Sequence, residues 1–330
     1  MSVLVTGGAG YIGGHMALGL LDAGEAVVVL DNLSTGFAWA VPEGAKLIVG
    51  DMGDKDLVAR LIQEHGIEAI AHFAARIVVP ESVRDPLGYY LNNVSNARSL
   101  IEAAINGGVK TFIFSSTAAV YGETGAEPVS EDSALAPISP YGRSKLMVEW
   151  ILEDASKAYD FHYVALRYFN VAGADPKGRL GQSSPNATHL IKRAVQTALG
   201  LHKTIEIFGE DYPTRDGTCV RDYIQVTDLI DAHLAALAYL RGGGVSAVCN
   251  CGYGHGETVK EVVEVVKRVS GVDFPVVVSP RRAGDPAAIV AQADRARRVL
   301  RWNPSRDNLD EIVRQALDWE RRLHNRRTDG

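Results

Sequence analysis

Cysteine is scarce in this chain: three among 330 residues, Cys219, Cys249 and Cys251. So small and odd a number excludes a disulfide framework and suits a reducing compartment. Cys249 and Cys251 form C-N-C, which lacks the usual ligand spacing of a zinc site and has no second pair to complete one. No metal is expected, and the alternation in AVCNCG reads instead as a buried strand with two small apolar side chains. A basic excess is lacking as well. The formal net charge is −6, against general nucleic-acid binding, where a basic face is expected; a local cluster of arginines can still hold one phosphate ligand. No apolar run reaches transmembrane length. The opening MSVLVTGGAG enters a strand directly, without a basic region followed by a long apolar run, so no signal peptide is expected. These absences lead to the expectation of a soluble, cytoplasmic protein with neither nucleic acid nor membrane as partner. No internal repeat or low-complexity segment is visible.

What is present is an ordinary globular composition, 46% hydrophobic and 22% charged, long enough for one large domain or one domain plus a smaller one. Short apolar runs alternate with helix-length segments: SVLVTG, AVVVLDN, KLIVGD, AIAHFAA, TFIFSST and YVALRYFN. Runs apolar on both faces predict buried parallel strands, and the alternation predicts an α/β fold with a doubly wound Rossmann sheet. Ligands in such folds lie beyond the carboxyl ends of the strands. The polar tails Thr6, Asp31, Asp51, His72, Ser115–Thr117 and Tyr168–Asn170 should therefore gather along one edge. After about residue 173 the pattern changes. GADPKGRLGQSSPNATHL reads as loop, and helices are expected near 189–200 and 227–241. AVCNCGYG looks like a strand returning to the first sheet, TVKEVVEVVKRVSG like a helix, and NLDEIVRQALDWERRLH like a final amphipathic helix. The expected division is a domain over 1–173, with segments near 222–255 returning to it, and a smaller interleaved α/β domain over the rest of 174–330.

The stretch LVTGGAGYIGGH holds Gly8-x-Gly10-x-x-Gly13 and also Gly7-x-x-Gly10-x-x-Gly13. Alone, such a pattern is weak. Here it follows a strand and opens a helix expected from Ile12 to Ala23, the context a dinucleotide-binding turn requires. Glycines permit the tight turn and let backbone N–H groups approach a pyrophosphate at a helix N-terminus. The second strand ends in Asp31, whose carboxylate can accept hydrogen bonds from the adenosine ribose and would repel a 2′-phosphate, favouring NAD over NADP. The same residue can also serve as a loop cap. Asp51 can sit beside the adenine, and HFAA (72–75) can line the cofactor cleft; either can equally be turn chemistry or packing.

SPYGRSK places Tyr141 and Lys145 at i and i+4 after Pro140, one turn apart on one helix face. A free tyrosine titrates near 10, and a nearby ammonium favours its phenolate. Thr117, closing the fifth strand, adds a hydroxyl at the same edge. A lone Tyr-x-x-x-Lys is usually structural. With the glycine loop, Asp31 and the Ser/Thr run in this chain order, it reads as a general base.

With these stretches the chain resembles the extended short-chain dehydrogenase/reductase superfamily, and within it the UDP-galactose (UDP-glucose) 4-epimerases. The resemblance runs through VTGGAGYIGGH, FIFSSTAAVYG and YGRSK, and more diagnostically through LRYFNVAGAD, IFGEDYPTRDGTCVRDYIQVTDL and RRAGDPA. It implies an isomerase that interconverts UDP-galactose and UDP-glucose with tightly held NAD. Transient oxidation at C4 would be followed by turning of the 4-keto sugar and reduction of its other face. Tyr141 would take the 4-hydroxyl proton, Lys145 would lower the Tyr141 pKa and hold the nicotinamide ribose, and Thr117 would bond the reacting oxygen. Gly7, Gly10, Tyr11, Ile12, Gly13, Asp31, Asn32, Asp51, Met52, Phe73, Ala74, Ala75, Asn93, Lys145 and Phe169 would touch NAD. Asn170, His189, Leu190, Ile207, Phe208, Arg221, Arg282 and Asp285, with Thr117 and Tyr141, would hold the UDP-sugar. Residues 1–173 would then bind NAD and the second part mainly the nucleotide sugar. The family also implies a homodimer formed through helices near 89–106 and 141–158.

The chain departs from the family at Arg76 and Ile77, where some relatives carry a lysine. Bulk around Ile289 bears on N-acetyl sugars, so UDP-N-acetylhexosamine, UDP-pentose and UDP-uronate substrates stay open. Nucleotide-sugar dehydratases carry an Asp-Glu pair just after the Ser/Thr; here that slot is Ala118-Ala119, and elimination lacks its proton shuttle. A catalytically silent NAD sensor typically loses the tyrosine or the lysine, and this chain keeps both. Met147, Trp150 and Trp302 are assigned to packing.

Overall fold

The computed structural model describes residues 1–125, 127–184, 188–282 and 285–328. Seven parallel strands form the central sheet: β1 (Ser2–Thr6), β2 (Ala26–Asp31), β3 (Lys46–Val49), β4 (Ile67–His72), β5 (Thr111–Thr117), β6 (His162–Tyr168) and β7 (Ala247–Cys251). Their order is β7-β6-β5-β4-β1-β2-β3. The chain winds outward from β1 to one edge, then restarts at β4 and winds to the other. The crevice between β1 and β4 is thus the switch point at which doubly wound sheets take ligands.

The inner strands are buried on both faces, so each reads as an unbroken apolar run; the edge strand β3 is partly exposed, with Val49 open to solvent. Val3 and Val5 belong to the hydrophobic cluster on one face, and Leu4 between them to the cluster on the other. Helices Tyr11–Asp22 and Val226–Arg241 cover the first face; Lys55–His65, Asn96–Asn106 and Pro140–Ala158 cover the second. The helix ends carry their signals. Asp54 accepts from the Leu57 N–H at 3.0 Å, and Ser139 accepts from the Gly142 N–H at 3.1 Å with Pro140 in the first turn. Thr258 and Glu261 form a reciprocal capping box, a device worth about 1 kcal/mol.

Short strands stand beside the carboxyl edge. Asn170–Ala172 pairs with Tyr223–Gln225. Ile205–Phe208 pairs with Val276–Ser279, and Val220–Arg221 lies between Glu257–Thr258 and Ala288–Ile289. Helices Leu190–Ala198, Val259–Ser270 and Leu309–Thr328 pack together behind them. One hydrophobic cluster runs without a break from Val3 and Val29 in the sheet to Ile205, Val263 and Leu317.

The sequence reading missed three short helices, Val79–Arg84, Pro86–Tyr90 and Asp294–Leu300. The first two present one large buried side chain, Tyr89, beside exposed Val79, Val83 and Leu87, so no periodic stripe announces them. The helix after the glycine loop begins at Tyr11, one residue earlier than expected. Trp302 is buried and donates its indole N–H to the Asp228 carbonyl at 2.9 Å, as packing requires. Trp150 is not packed: it is 53% exposed in this chain, because its position on the 140–158 helix faces away from the sheet. Cys249 and Cys251 are buried free thiols in β7.

Gly13 shows how closely β1 meets its helix. A methyl group there would lie 2.2 Å from the Gly7 carbonyl oxygen. Gly13→Ala is expected to lose about 3 kcal/mol of stability. Gly125→Ala, where a methyl meets nothing within 4 Å, should stay within about 0.5 kcal/mol of the parent. Thermal denaturation compares the two.

Candidate active site

The glycines divide by task. Gly7 turns with φ +75°, and a Cβ there would lie 2.6 Å from the Ala74 nitrogen. The glycine loop is thus pressed against the HFAA segment that follows β4. Gly8 packs on Val29, and Gly13 on Gly7. Gly10 is different: it caps the helix with no side-chain partner, and a Cβ there would meet only the Gly7 oxygen, at 3.3 Å. Bare backbone at a helix N-terminus is what a pyrophosphate needs, and a concavity lined by Ala9, Gly10, Tyr11, Thr35, Phe37 and Leu180 opens beside it. These residues fit a dinucleotide. Tyr11 donates its hydroxyl to the Gly173 carbonyl at 2.8 Å, tying the loop to the chain beyond β6, and Ile12 packs half-buried against the core.

Asp31 performs the turn role and stays available for the ligand role. Its two oxygens accept from the Ala9 N–H at 3.0 Å and the Leu33 N–H at 2.8 Å, and each keeps a further lone pair. Asn32 donates to Asp51 at 3.2 Å. Asp51 also accepts from the Gly53 N–H at 2.8 Å and the Asn96 amide at 3.1 Å, with Met52 buried beside it. Asn93 is fully engaged by protein. Its oxygen accepts from the Arg76 N–H at 2.9 Å and the Asn92 amide at 2.9 Å; its nitrogen donates to the Arg76 carbonyl at 2.9 Å and the Ser144 hydroxyl at 3.0 Å. It joins the loop after Ala75 to the helix that carries Tyr141. Phe73 packs at a tilt against His233, with ring centres 4.9 Å apart, and Phe169 is buried at the end of β6.

At the end of β5 the sequence pair meets the strand hydroxyls. Burial raises the Tyr141 phenol, and a hydrogen bond with Thr117 draws it back. Lys145 is 3% exposed. Its ammonium donates to the Ser115 carbonyl at 2.8 Å and lies 4.9 Å over the Phe114 ring. Burial brings Lys145 down to about 7, while Glu149 acts in the opposite direction. In the chain itself, then, the downward pull on Tyr141 comes from Thr117 and not from the lysine. His72, bonded to the Thr6 hydroxyl at 2.7 Å, is lowered to about 3 by burial and by Lys145, so it adds no second cation here.

The remaining predicted residues line the short strands. Arg221 faces Asp285 at 3.6 Å and donates to the Val220 carbonyl at 2.8 Å. The Arg282 guanidinium lies 3.6 Å over the Phe208 ring, next to buried Ile207. His189 occupies the N-cap of the helix that Leu190 opens, leaving its N-terminus without a side-chain cap. Its ring nitrogen is 2.8 Å from the Gln182 amide. Asn170 pairs through its backbone with Asp222 at 3.0 Å. Among the described residues, no three His, Cys, Asp or Glu side chains gather as a metal site.

A sequence profile described as the NAD dependent epimerase/dehydratase family matches residues 3–252. The chain belongs to that family. The UDP-glucose 4-epimerase of Azospirillum brasilense is 53% identical over 97% of this chain and 92% of its own length. A crystal structure of a UDP-glucose 4-epimerase matches with TM-score 0.96 at 45% identity, covering 98% of this chain and 99% of the other. The UDP-glucose 4-epimerase of Brucella ovis, in complex with NAD, matches with TM-score 0.93 at 44% identity, covering 96% and 97%.

In this epimerase/dehydratase chain, two functional supports escaped the sequence reading. Asp222, next to Arg221, is buried. It accepts backbone N–H groups from Tyr253 at 3.0 Å, Gly254 at 3.0 Å and Ala291 at 3.2 Å, fixing the strand that carries Arg221. Glu149, at i+4 from Lys145, forms a buried pair with Arg167 at 2.6 Å. The spacing Tyr141, Lys145, Glu149 was a visible signal for the second. For Asp222 only its place in RDY was.

The Lys145 shift sets a pH dependence. Its folded-state value, about 7, lies below the ordinary 10.5, so between those values the unfolded chain binds more protons. The burden of burying this lysine is complete below about pH 7 and lifts as pH rises toward 10.5. The melting temperature of Lys145→Met relative to the parent should therefore be highest near or below pH 7 and fall steadily toward pH 10.

Proposed function

We propose that this chain is an NAD-dependent UDP-hexose 4-epimerase that interconverts UDP-galactose and UDP-glucose. The observation that carries this reading is the strand end at Ser115–Thr117. There Lys145 bonds the Ser115 carbonyl and Thr117 draws the buried Tyr141 phenol downward, with alanine where a dehydratase needs carboxylates. The full-length relatives named UDP-glucose 4-epimerase support it. Gly7, Gly10, Tyr11, Ile12, Gly13, Asp31, Asn32, Asp51, Met52, Phe73, Ala74, Ala75 and Phe169 would hold the dinucleotide, with Asn93, its amide spent on protein partners, bracing the loop beside them. When bound, NAD supplies the hydride acceptor, and then donor, for sugar C4.

The chain's own residues handle protons and position. Tyr141, as the phenolate that the Lys145 ammonium and the positive ring of bound NAD⁺ would favour, takes the 4-hydroxyl proton and returns one after the sugar presents its other face. Thr117 holds the reacting oxygen and shortens the path of the proton. Lys145, fixed by the Ser115 carbonyl, offers its remaining N–H groups to the nicotinamide ribose. Arg221 and Arg282 neutralise the pyrophosphate, the uncapped helix at His189–Leu190 adds backbone donors, and Phe208 flanks the uracil. Ile207, Asn170 and Asp285 complete the nucleotide-sugar pocket. Residues 1–173, with the return near 222–255, form the NAD part and the remainder mainly the UDP-sugar part. Exposed Leu87, Leu91 and Trp150 support a homodimer through the segments near 89–106 and 141–158. Three buried free cysteines suit the cytoplasm, and no helix among the described residues is long and apolar enough to cross a membrane.

Purified protein given UDP-galactose, with no NAD added, should form UDP-glucose. Absence of product even after NAD⁺ is supplied would refute the assignment and direct testing to UDP-pentose, UDP-uronate and UDP-N-acetylhexosamine. Tyr141→Phe should lower kcat by about 10²–10⁴ while retaining bound NAD, seen by absorbance after denaturation. Arg282→Met should raise KM for UDP-galactose by about tenfold or more with little change in kcat. Trp150→Glu should shift the mass measured by light scattering from dimer to monomer.

A further inference from the structure

Three consecutive residues at the end of β5 engage three successive turns of one helix. Thr117 lowers the buried Tyr141 phenol, the Ser115 carbonyl accepts from Lys145, and the Ser116 hydroxyl donates to Glu149. Tyr141, Lys145 and Glu149 are spaced i, i+4, i+8 and share a face. The first two belong to the reaction proposed above; the third has no part in it. Yet Glu149 and Arg167 are each only 4% exposed. Arg167 grips Glu149 with two nitrogens, Nε to Oε1 at 3.0 Å and Nη2 to Oε2 at 2.6 Å. Its third nitrogen donates to the Tyr121 hydroxyl at 3.1 Å, and Tyr121 donates in turn to Asn250 at 2.6 Å. A buried ion pair is commonly no better for stability than well-packed apolar residues of the same size. Stability therefore gives no reason for this one.

We propose that Glu149, clamped by Arg167 and Ser116, is a positioning residue for Lys145, fixing it at the strand end and holding it in its charged form. This deepens the epimerase reading and rests on it for the catalytic consequence alone. The charges around Lys145 support it. Glu149 is the group that opposes the loss of the Lys145 proton on burial. His72 on β4 and His233 on the 226–241 helix are lowered by burial to about 3 and about 4, so both are neutral. Burial raises Tyr168 on β6 and Tyr141 on the same helix, disfavouring an anion at either before NAD⁺ is bound. Arg76, whose backbone holds Asn93, keeps its charge on Glu81 and Asp85 at 2.7 Å each. Among the described residues, Lys145 thus faces one anion, and Arg167 governs how much of that charge reaches it.

Removing the carboxylate and removing its partner should move Lys145 in opposite directions. Its protonation can be followed by NMR of ¹³Cε-labelled lysine in the NAD-containing protein, with the signal assigned from Lys145→Met. Glu149→Gln should lower the Lys145 midpoint by about one pH unit or more. Arg167→Met, which leaves the carboxylate uncompensated, should raise it. The alkaline limb of the kcat profile should move with the midpoint in each case. Glu149→Gln/Arg167→Met carries no unpaired buried charge and covers the case in which a single variant does not fold; its midpoint should fall. Unmoved midpoints with a lowered melting temperature, or midpoints moving the same way in both single variants, would overturn the proposal. The titration needs no turnover, so a parent protein that failed to epimerise UDP-galactose would refute the assigned reaction without deciding this test.

Discussion

Parallel strands buried on both faces leave a chain almost nowhere to place a polar side chain except at the strand ends. That constraint organises this molecule. Along β1, β2, β4, β5 and β6 the interior positions are apolar or small, while Thr6, Asp31, His72, Ser115–Thr117 and Tyr168 sit at the carboxyl ends. Side chains far apart in sequence are gathered along one edge by the same rule that builds the core. The switch between β1 and β4 then opens the crevice in which the glycine loop and the Phe73–Ala75 segment press together. The short strands beyond the edge carry Arg221 and the Phe208 ring over which Arg282 lies.

The second consequence is electrostatic. An edge crowded by helices and short strands is dry, and dryness acts against every charge placed in it. A phenolate at Tyr141 is disfavoured, Lys145 is brought close to losing its proton, and His72 and His233 are kept uncharged. A site so composed is sensitive to the few charges that remain. Hence the ion pair of Glu149 and Arg167, one turn below Lys145, can matter more for chemistry than for stability. Thr117 likewise acts on Tyr141, lowering the phenol that burial raises.

The parts legible in the sequence were those governed by local rules. Apolar runs located all seven strands, including the return at AVCNC, and the glycine loop announced itself by its place between strand and helix. Tyr141 and Lys145 were visible because helical spacing is fixed. Asp31 was read in two ways, as loop cap and as ribose ligand, and its oxygens show that one carboxylate has capacity for both. What could not be read was set by tertiary contact. The short helices at 79–90 bury one large side chain, too little to leave a stripe, and Trp150 faces outward because the helix turns its other side to the sheet. Asp222 and Asn93 serve partners distant in the chain. The arginine and aspartate of RRAGDPA were found through family likeness, since nothing local distinguishes them from a solvated loop.

The edge strand β7 comes from Ala247–Cys251, yet it pairs with β6 at His162–Tyr168, and the helix 226–241 is needed to cover the same face. During synthesis, β6 must therefore wait with an open edge and an uncovered face until most of the chain has left the ribosome. Unpaired edges and exposed apolar faces are what nascent chains lose to aggregation. Folding here is thus a late, largely all-at-once event. A break anywhere in the loop after Gly173 would leave two fragments, neither of which holds a complete sheet.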